Sequence, residues 1–230
     1  MTVWDRPEPP KGPAPLDRAR IAGAAVDLAD EGGLEAVSLR KVAARLGAGP
    51  MRLYGFISAK EDLFDLMVDR VHAEVLPDAP PGHWREALGG MARRTRRAAL
   101  RHEWLADLLG GRPAPGPNAL AAGEAPLAAL EGLADTDTAW RAVETVNAYT
   151  IGAVRREVAE LRAERATGLS KGRWQREHGP YLVRMLETGR FPALARAVHE
   201  GAHTGAEESF EEGLEWVLDA VAARLAPQPE

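Results

Sequence analysis

One stretch constrains the fold of this chain more than any other: Ser38 to Lys60, SLRKVAARLGAGPMRLYGFISAK. Leu39, Val42, Ala43 and Leu46 recur at i, i+3, i+4 and i+7, one face of a helix. Gly47 then stops that helix, because glycine takes a left-handed φ without strain. Pro50 suits the first turn of a second short helix, where its missing N–H would be unpaired anyway. Helix, turn and helix in this order predict a helix-turn-helix. The stretch carries five basic residues, Arg40, Lys41, Arg45, Arg52 and Lys60, and no acid, in a chain of formal net charge −5. Attraction to phosphate is screened beyond about 10 Å, so this local density outweighs the net acidity.

Composition narrows the rest. With 230 residues and 45% hydrophobic content, the chain has material for one good core or two small ones. The absence of cysteine excludes disulfides, thiolate metal sites and cysteine nucleophiles. No apolar run approaches the roughly 20 residues of a membrane helix, which leads us to expect a cytoplasmic protein without membrane contact.

Taken in order, residues 1–15 read as a flexible Pro-rich arm from which Arg6 and Lys11 could reach DNA, the plainer reading being a frayed tail. A first helix spans Leu16 to Glu31, with Ile21, Ala25 and Leu28 along one face and Gly32–Gly33 at its end. Ser38 is the expected N-cap of the next helix, and Ser58 that of a longer one carrying Phe64, Val68, Val71 and Val75. Residues 16–76 thus form a small DNA-binding domain, 77–226 a second helical domain, and 227–230 a tail. In the second domain we expect helices over Trp84–Leu100, Leu120–Leu133, Thr138–Glu164, Trp174–Glu187 and Ala206–Leu225. Arg93, Arg94, Arg96 and Arg97 read as a solvated charged face, a second DNA surface being the alternative. With no strand pattern, the fold class is all-α, helices packed in layers.

These residues also resemble a known family. The run LDRARIAGAAVDLADEGGLEAVSLRKVAARLGAGPMRLYGFISAKEDLFDLMVDRV is similar to the N-terminal domain of TetR (tetracycline-repressor) family transcription regulators, and the remainder resembles their C-terminal domain through Trp84–Arg85, GGRP at 110–113, TIGAV at 150–154 and FEEGL at 210–214. The resemblance implies a repressor that binds a palindromic operator as a homodimer and is released by a small molecule. It matches Arg40 to a guanine reader, a contact suited to arginine geometry, and sets Pro50, Met51 and Arg52 on the base-facing side of the recognition helix. Ser38, Lys41, Tyr54 and Lys60 match phosphate contacts, whereas Gly55 stands where relatives commonly carry an aromatic residue. For dimerisation it implies the helices near 138–164 and 206–225, through Val143, Val154, Val158, Leu161, Phe210, Leu214, Val217 and Val221.

A mostly apolar effector is expected between the C-terminal helices. The lining candidates are Met91, Trp104, Leu105, Leu108, Trp140, Thr150, Trp174, Tyr181 and Met185, with Asn147 as a polar handle. Magnesium-bound tetracycline is not expected: Leu108, Gly111, Met91 and Arg156 replace the histidine, threonine, asparagine and glutamate that the tetracycline repressor uses. No cofactor is expected. The rival reading is a zinc hydrolase, because His199-Glu200-Gly201-Ala202-His203 matches H-E-x-x-H. That motif needs a rigid helix, and Gly201 interrupts this one.

Overall fold

A computed structural model describes residues 2–9, 16–111, 114–201 and 204–225. Among them there is no β-strand, and the all-α expectation holds. The helices are α1 (Arg18–Gly32), α2 (Leu39–Arg45), α3 (Pro50–Leu53), α4 (Lys60–His72), α5 (Trp84–Arg101), α6 (Leu105–Leu108), α7 (Pro117–Ala128), α8 (Thr136–Thr167), α9 (Lys171–Glu187), α10 (Pro192–Glu200) and α11 (Ala206–Leu225). Lys11, Arg112, Pro113, His203 and the 227–230 tail lie outside the described residues.

Local signals account for most of the boundaries. Asp17 caps α1, accepting from the Arg20 N–H at 2.8 Å, and the helix ends where Gly33 takes φ 71°. Ser38 caps α2 by accepting from the Lys41 N–H at 3.3 Å, and Gly47 closes the turn at φ 62°. Ser58 is a correction. The residue flanking α4 is Ala59, which makes no side-chain cap, while Ser58 donates its N–H and hydroxyl to the Asp62 carboxylate at 2.6 and 2.8 Å. The acids of that first turn, Glu61 and Asp62, still complement the helix dipole.

The N-terminal segment is a second correction. Residues 2–9 are not a loose arm: Val3 is fully buried, Trp4 donates its indole N–H to the Ala114 carbonyl at 3.1 Å, and Arg6 pairs with Asp62. Arg6 is therefore paired within the protein.

By compactness the chain divides into Met1–Arg155 with Leu214–Glu230, and Arg156–Gly213. In the first unit, Ile21, Ala25, Val42, Ala43, Leu53, Phe56, Ile57, Leu63, Met67 and Val71 form the core of α1–α4. Further along, Arg85 reaches Glu215 at 2.6 Å and Asp219 at 2.7 Å, and Arg93 reaches Glu215 at 3.2 Å, tying α5 to α11. Arg94 turns inward to donate to the Val75 carbonyl at 2.6 Å, and burial lowers its pKa. Those two members of the arginine cluster thus serve packing. In the second unit α9 packs on α10.

Candidate DNA-reading surface and effector site

The buried residues of the turn decide which side of α3 faces out. Leu53 and Ile57 are fully buried and Phe56 nearly so, which anchors the end of the helix in the core. Pro50, Met51, Arg52 and Tyr54 are left exposed, Met51 at 78% and Tyr54 at 51%. Arg40, Lys41 and Lys60 are exposed, and Ser38 is half-buried at the α2 cap. Because Ser38 caps as an acceptor, its hydroxyl hydrogen stays available for a phosphate oxygen. The Lys60 ammonium lies 5.1 Å from the centre of the Phe64 ring, which holds it at the start of α4.

Arg45 is held within the protein by an acid of α1. Its guanidinium makes two hydrogen bonds to Glu31, at 2.7 and 2.6 Å, holding α2 against the end of α1. That bond lowers the Glu31 carboxyl and raises Arg45. Glu31 lies fourteen residues upstream, so the basic count alone could not reveal the pairing.

A further set of functional candidates escaped sequence reasoning: Asp62, Asp65 and Asp69 on α4, at i, i+3 and i+7 and so on one face of the helix. Burial raises the Asp62 carboxyl, but hydrogen bonds from the Ser58 backbone, Arg6 and the Ser58 hydroxyl outweigh it and hold the pKa at about 2. Asp65 accepts the Ala114 N–H at 3.0 Å; burial, opposed by that bond, raises its pKa. Asp69 accepts from the Asn118 N–H, the Asn118 amide and the Ala119 N–H, each at 2.9 Å, and so caps α7 from another helix. The one available signal was the spacing of the three acids.

A second junction forms at the end of α5. Buried His102 has Nδ1 2.8 Å from Asp30 Oδ1 and Nε2 3.2 Å from Glu74 Oε1, while the Trp104 indole donates to Asp30 at 2.7 Å. The ends of α1 and α4 are thereby joined to α5 and α6.

The effector candidates separate by burial. Met91, Trp104, Leu105 and Thr150 are buried, and the Thr150 hydroxyl donates to the Val146 carbonyl at 2.8 Å. Leu108 is half-buried, whereas Trp140 and Asn147 on α8 are open to solvent. In the second unit Trp174 is 50% and Tyr181 65% exposed, Trp174 stacking on His178 with ring centres 4.4 Å apart, and Met185 is half-buried.

Most dimerisation candidates lie in the core of the single chain. Val154, Val158, Phe210, Leu214 and Val221 are nearly or fully buried, Val143 and Val217 half-buried, and Leu161 exposed. The 3–4 stripe on α8 and α11 thus serves intramolecular packing at most of these positions, with Val143, Val217 and Leu161 left partly or fully open. A groove of 620 Å³ is lined by Thr138, Arg141, Ala142 and Thr145 of α8 and Ala220, Val221, Arg224 and Leu225 of α11. Trp216, 76% exposed, shares the helical face of Ala220 and Arg224.

The H-E-x-x-H match does not lie on one helix. Helix α10 ends at Glu200, and Gly201 leaves helical geometry with ψ 139°.

An exposed basic face mounted on a buried helix-turn-helix defines a DNA-binding regulator. Residues 76–225 match the family described as "Tetracyclin repressor-like, C-terminal domain". The HTH-type transcriptional repressor DrrR1 of Streptomyces coeruleorubidus is 37% identical over 97% of this chain and 84% of its own. The tetracycline repressor protein class A from transposon 1721 of Escherichia coli is 32% identical over 60% of this chain and 66% of its own. Among solved structures, Streptomyces coelicolor ActR in complex with actinorhodin superposes with TM-score 0.78 at 28% identity, covering 91% of this chain and 97% of that one. The chain belongs to the TetR family of transcription regulators, with a tetracycline-repressor-like C-terminal domain. It is a transcriptional repressor and not an enzyme. No described helix is long and apolar enough to cross a membrane.

Proposed function

We propose that this repressor binds a palindromic operator as a homodimer and leaves it when a small, mostly apolar molecule binds among the C-terminal helices. The observation that carries the reading is the exposed α2–α3 face, basic and without an acid from Ser38 to Lys60, held out by buried Leu53, Phe56 and Ile57. Arg40, Pro50, Met51 and Arg52 read base edges; Ser38, Lys41, Tyr54 and Lys60 hold phosphates. Two such heads in one dimer would engage half-sites roughly 34 Å apart.

For the dimer, the exposed face of α11 around Trp216 and the adjoining groove with Arg141 and Arg224 supply a surface that the chain leaves open. An exposed tryptophan beside a recess is a common centre of binding energy. For the effector, the site is drawn on the first unit, around Met91, Trp104, Leu105, Leu108 and Thr150, with Trp140 and Asn147 further out on α8. ActR, solved with actinorhodin and with (S)-DNPA, supports a small-molecule effector. The effector releases DNA only to the extent that it binds the DNA-incompetent state more tightly.

The test is selection of duplexes from a random pool by the full-length protein, followed by titration of the bound complex with actinorhodin as a first probe. A two-fold symmetric consensus bound at two chains per half-site pair, and lost in Trp216→Glu, is expected. Enrichment of no sequence at low salt would overturn the operator reading.

A further inference from the structure

Two glycines of this chain without positive φ lie against its N-terminal segment, Gly116 where no side chain fits and Gly55 where a side chain would be tight. Gly55, just past the recognition helix, is not among the glycines of positive φ, but a Cβ there would stand 3.3 Å from Pro9 Cγ. Gly116, before α7, has φ −89° and ψ −179°, which any residue adopts, but a Cβ there would collide with the Trp4 ring and the Asp69 carboxylate. Close approach, and not conformational freedom, accounts for Gly116. What approaches is the same segment, by its two ends.

Between these ends the segment is bonded along its length. Trp4 donates to the Ala114 carbonyl at 3.1 Å, and Arg6 pairs with Asp62. The Arg6 carbonyl accepts from Arg18 Nη2 at 2.8 Å, and Arg18 Nε also donates to the Phe56 carbonyl at 3.3 Å. Glu8 accepts the Arg18 backbone N–H at 3.3 Å. The path thus runs from the loop that opens α7, across the start of α4, to the residues that end the recognition helix.

We propose that residues Val3 to Pro9 are a strap that positions the recognition helix and couples it to the Ala114–Asn118 loop ahead of α7, with Trp4, Arg6 and Pro9 as positioning residues. This rests on α3 being the DNA-reading element. A change in the effector domain that shifts residues 114–118 would be felt at Phe56 through a bonded chain instead of through α4 alone.

The experiment compares the full-length protein with Trp4→Ala, Trp4→Phe and Gly116→Ala. Amide exchange of residues 54–58 is followed, and binding is measured to a duplex selected by the wild type and to its scrambled counterpart. Trp4→Ala and Gly116→Ala should speed exchange at 54–58, although neither position touches a DNA-facing residue. Each should lower the selected-to-scrambled affinity ratio about tenfold, the size of one lost buried interaction, with binding to scrambled DNA unchanged. Trp4→Phe, which keeps a ring but loses the bond to Ala114, should fall between. Faster exchange confined to 3–9 and 114–117, with the ratio unchanged, would make the segment a local staple and overturn the proposal. If Trp4→Ala does not fold, the other two variants decide by the same readouts. If the wild type selects no duplex, the DNA reading fails, and the exchange data still decide the strap.

Discussion

The reading head and the Arg156–Gly213 unit are both helical and both amphipathic, yet they are finished to different degrees. In α1–α4 the large apolar side chains are almost all covered, with Ile21, Leu53, Ile57, Leu63 and Met67 fully buried. In α9, α10 and the turn between them the same kinds of residue remain in solvent: Trp174, Tyr181, Leu182, Val183, Phe191 and Leu194 are between 37% and 65% exposed. The head gets its shape from its own core, so the DNA face is positioned before DNA arrives. The second unit has periodicity without cover. Few buried contacts leave a region open to local unfolding and to repacking around something else.

The contrast can be broken most forcefully in the core. Leu63→Ala should cost about 2–5 kcal/mol in urea unfolding, because it leaves a cavity in a packed site. A loss below half of that range would mean the head is looser than its burial implies. Next in size is the rate contrast: amides of α9 and α10 should exchange well before those of α1 and α4, and equal protection would erase the distinction. The Asp62 junction gives a smaller, pH-dependent effect. Its carboxyl is depressed from 3.8 to about 2 in the fold, so its contribution is present above about 4 and fades as pH falls toward 2. The stability gap between the wild type and Asp62→Asn should therefore narrow over that window, and a gap independent of pH would contradict the bonding described. Smallest of all, Leu194→Ser, at a position 50% exposed, should change stability by no more than about 0.5 kcal/mol.

How much of this was legible beforehand varied with the range of the interaction. The Ser38 cap, the Gly47 turn and Pro50 at a helix start are decided within four residues, and they could be read directly. Ser58 was misread because two signals compete there: Asp62, four residues on, draws the Ser58 N–H and hydroxyl to itself. The N-terminal segment looked mobile since proline-rich composition carries no record of Asp62 or Ala114, which hold it from 56 and 110 positions away. The stripes on α8 and α11 showed that those helices bury a face, but a 3–4 period is the same whether the cover is intramolecular or a second copy. Val154 and Leu214 themselves are buried within the one chain. Among the basic residues, spacing could not tell Arg45, paired with Glu31, from Arg40 on the open face.

The central claim is that one acid-free face divides into residues that read bases and residues that hold phosphates. The most direct measurement is the affinity of Arg40→Ala, Arg52→Ala and Lys60→Ala for the selected duplex and for a scrambled one across a salt series. Arg40→Ala and Arg52→Ala should each lose about 1–3 kcal/mol on the selected duplex and little on the scrambled one, and Lys60→Ala should weaken both alike and reduce the salt slope by about one. Equal losses on both duplexes for all three variants would contradict the division.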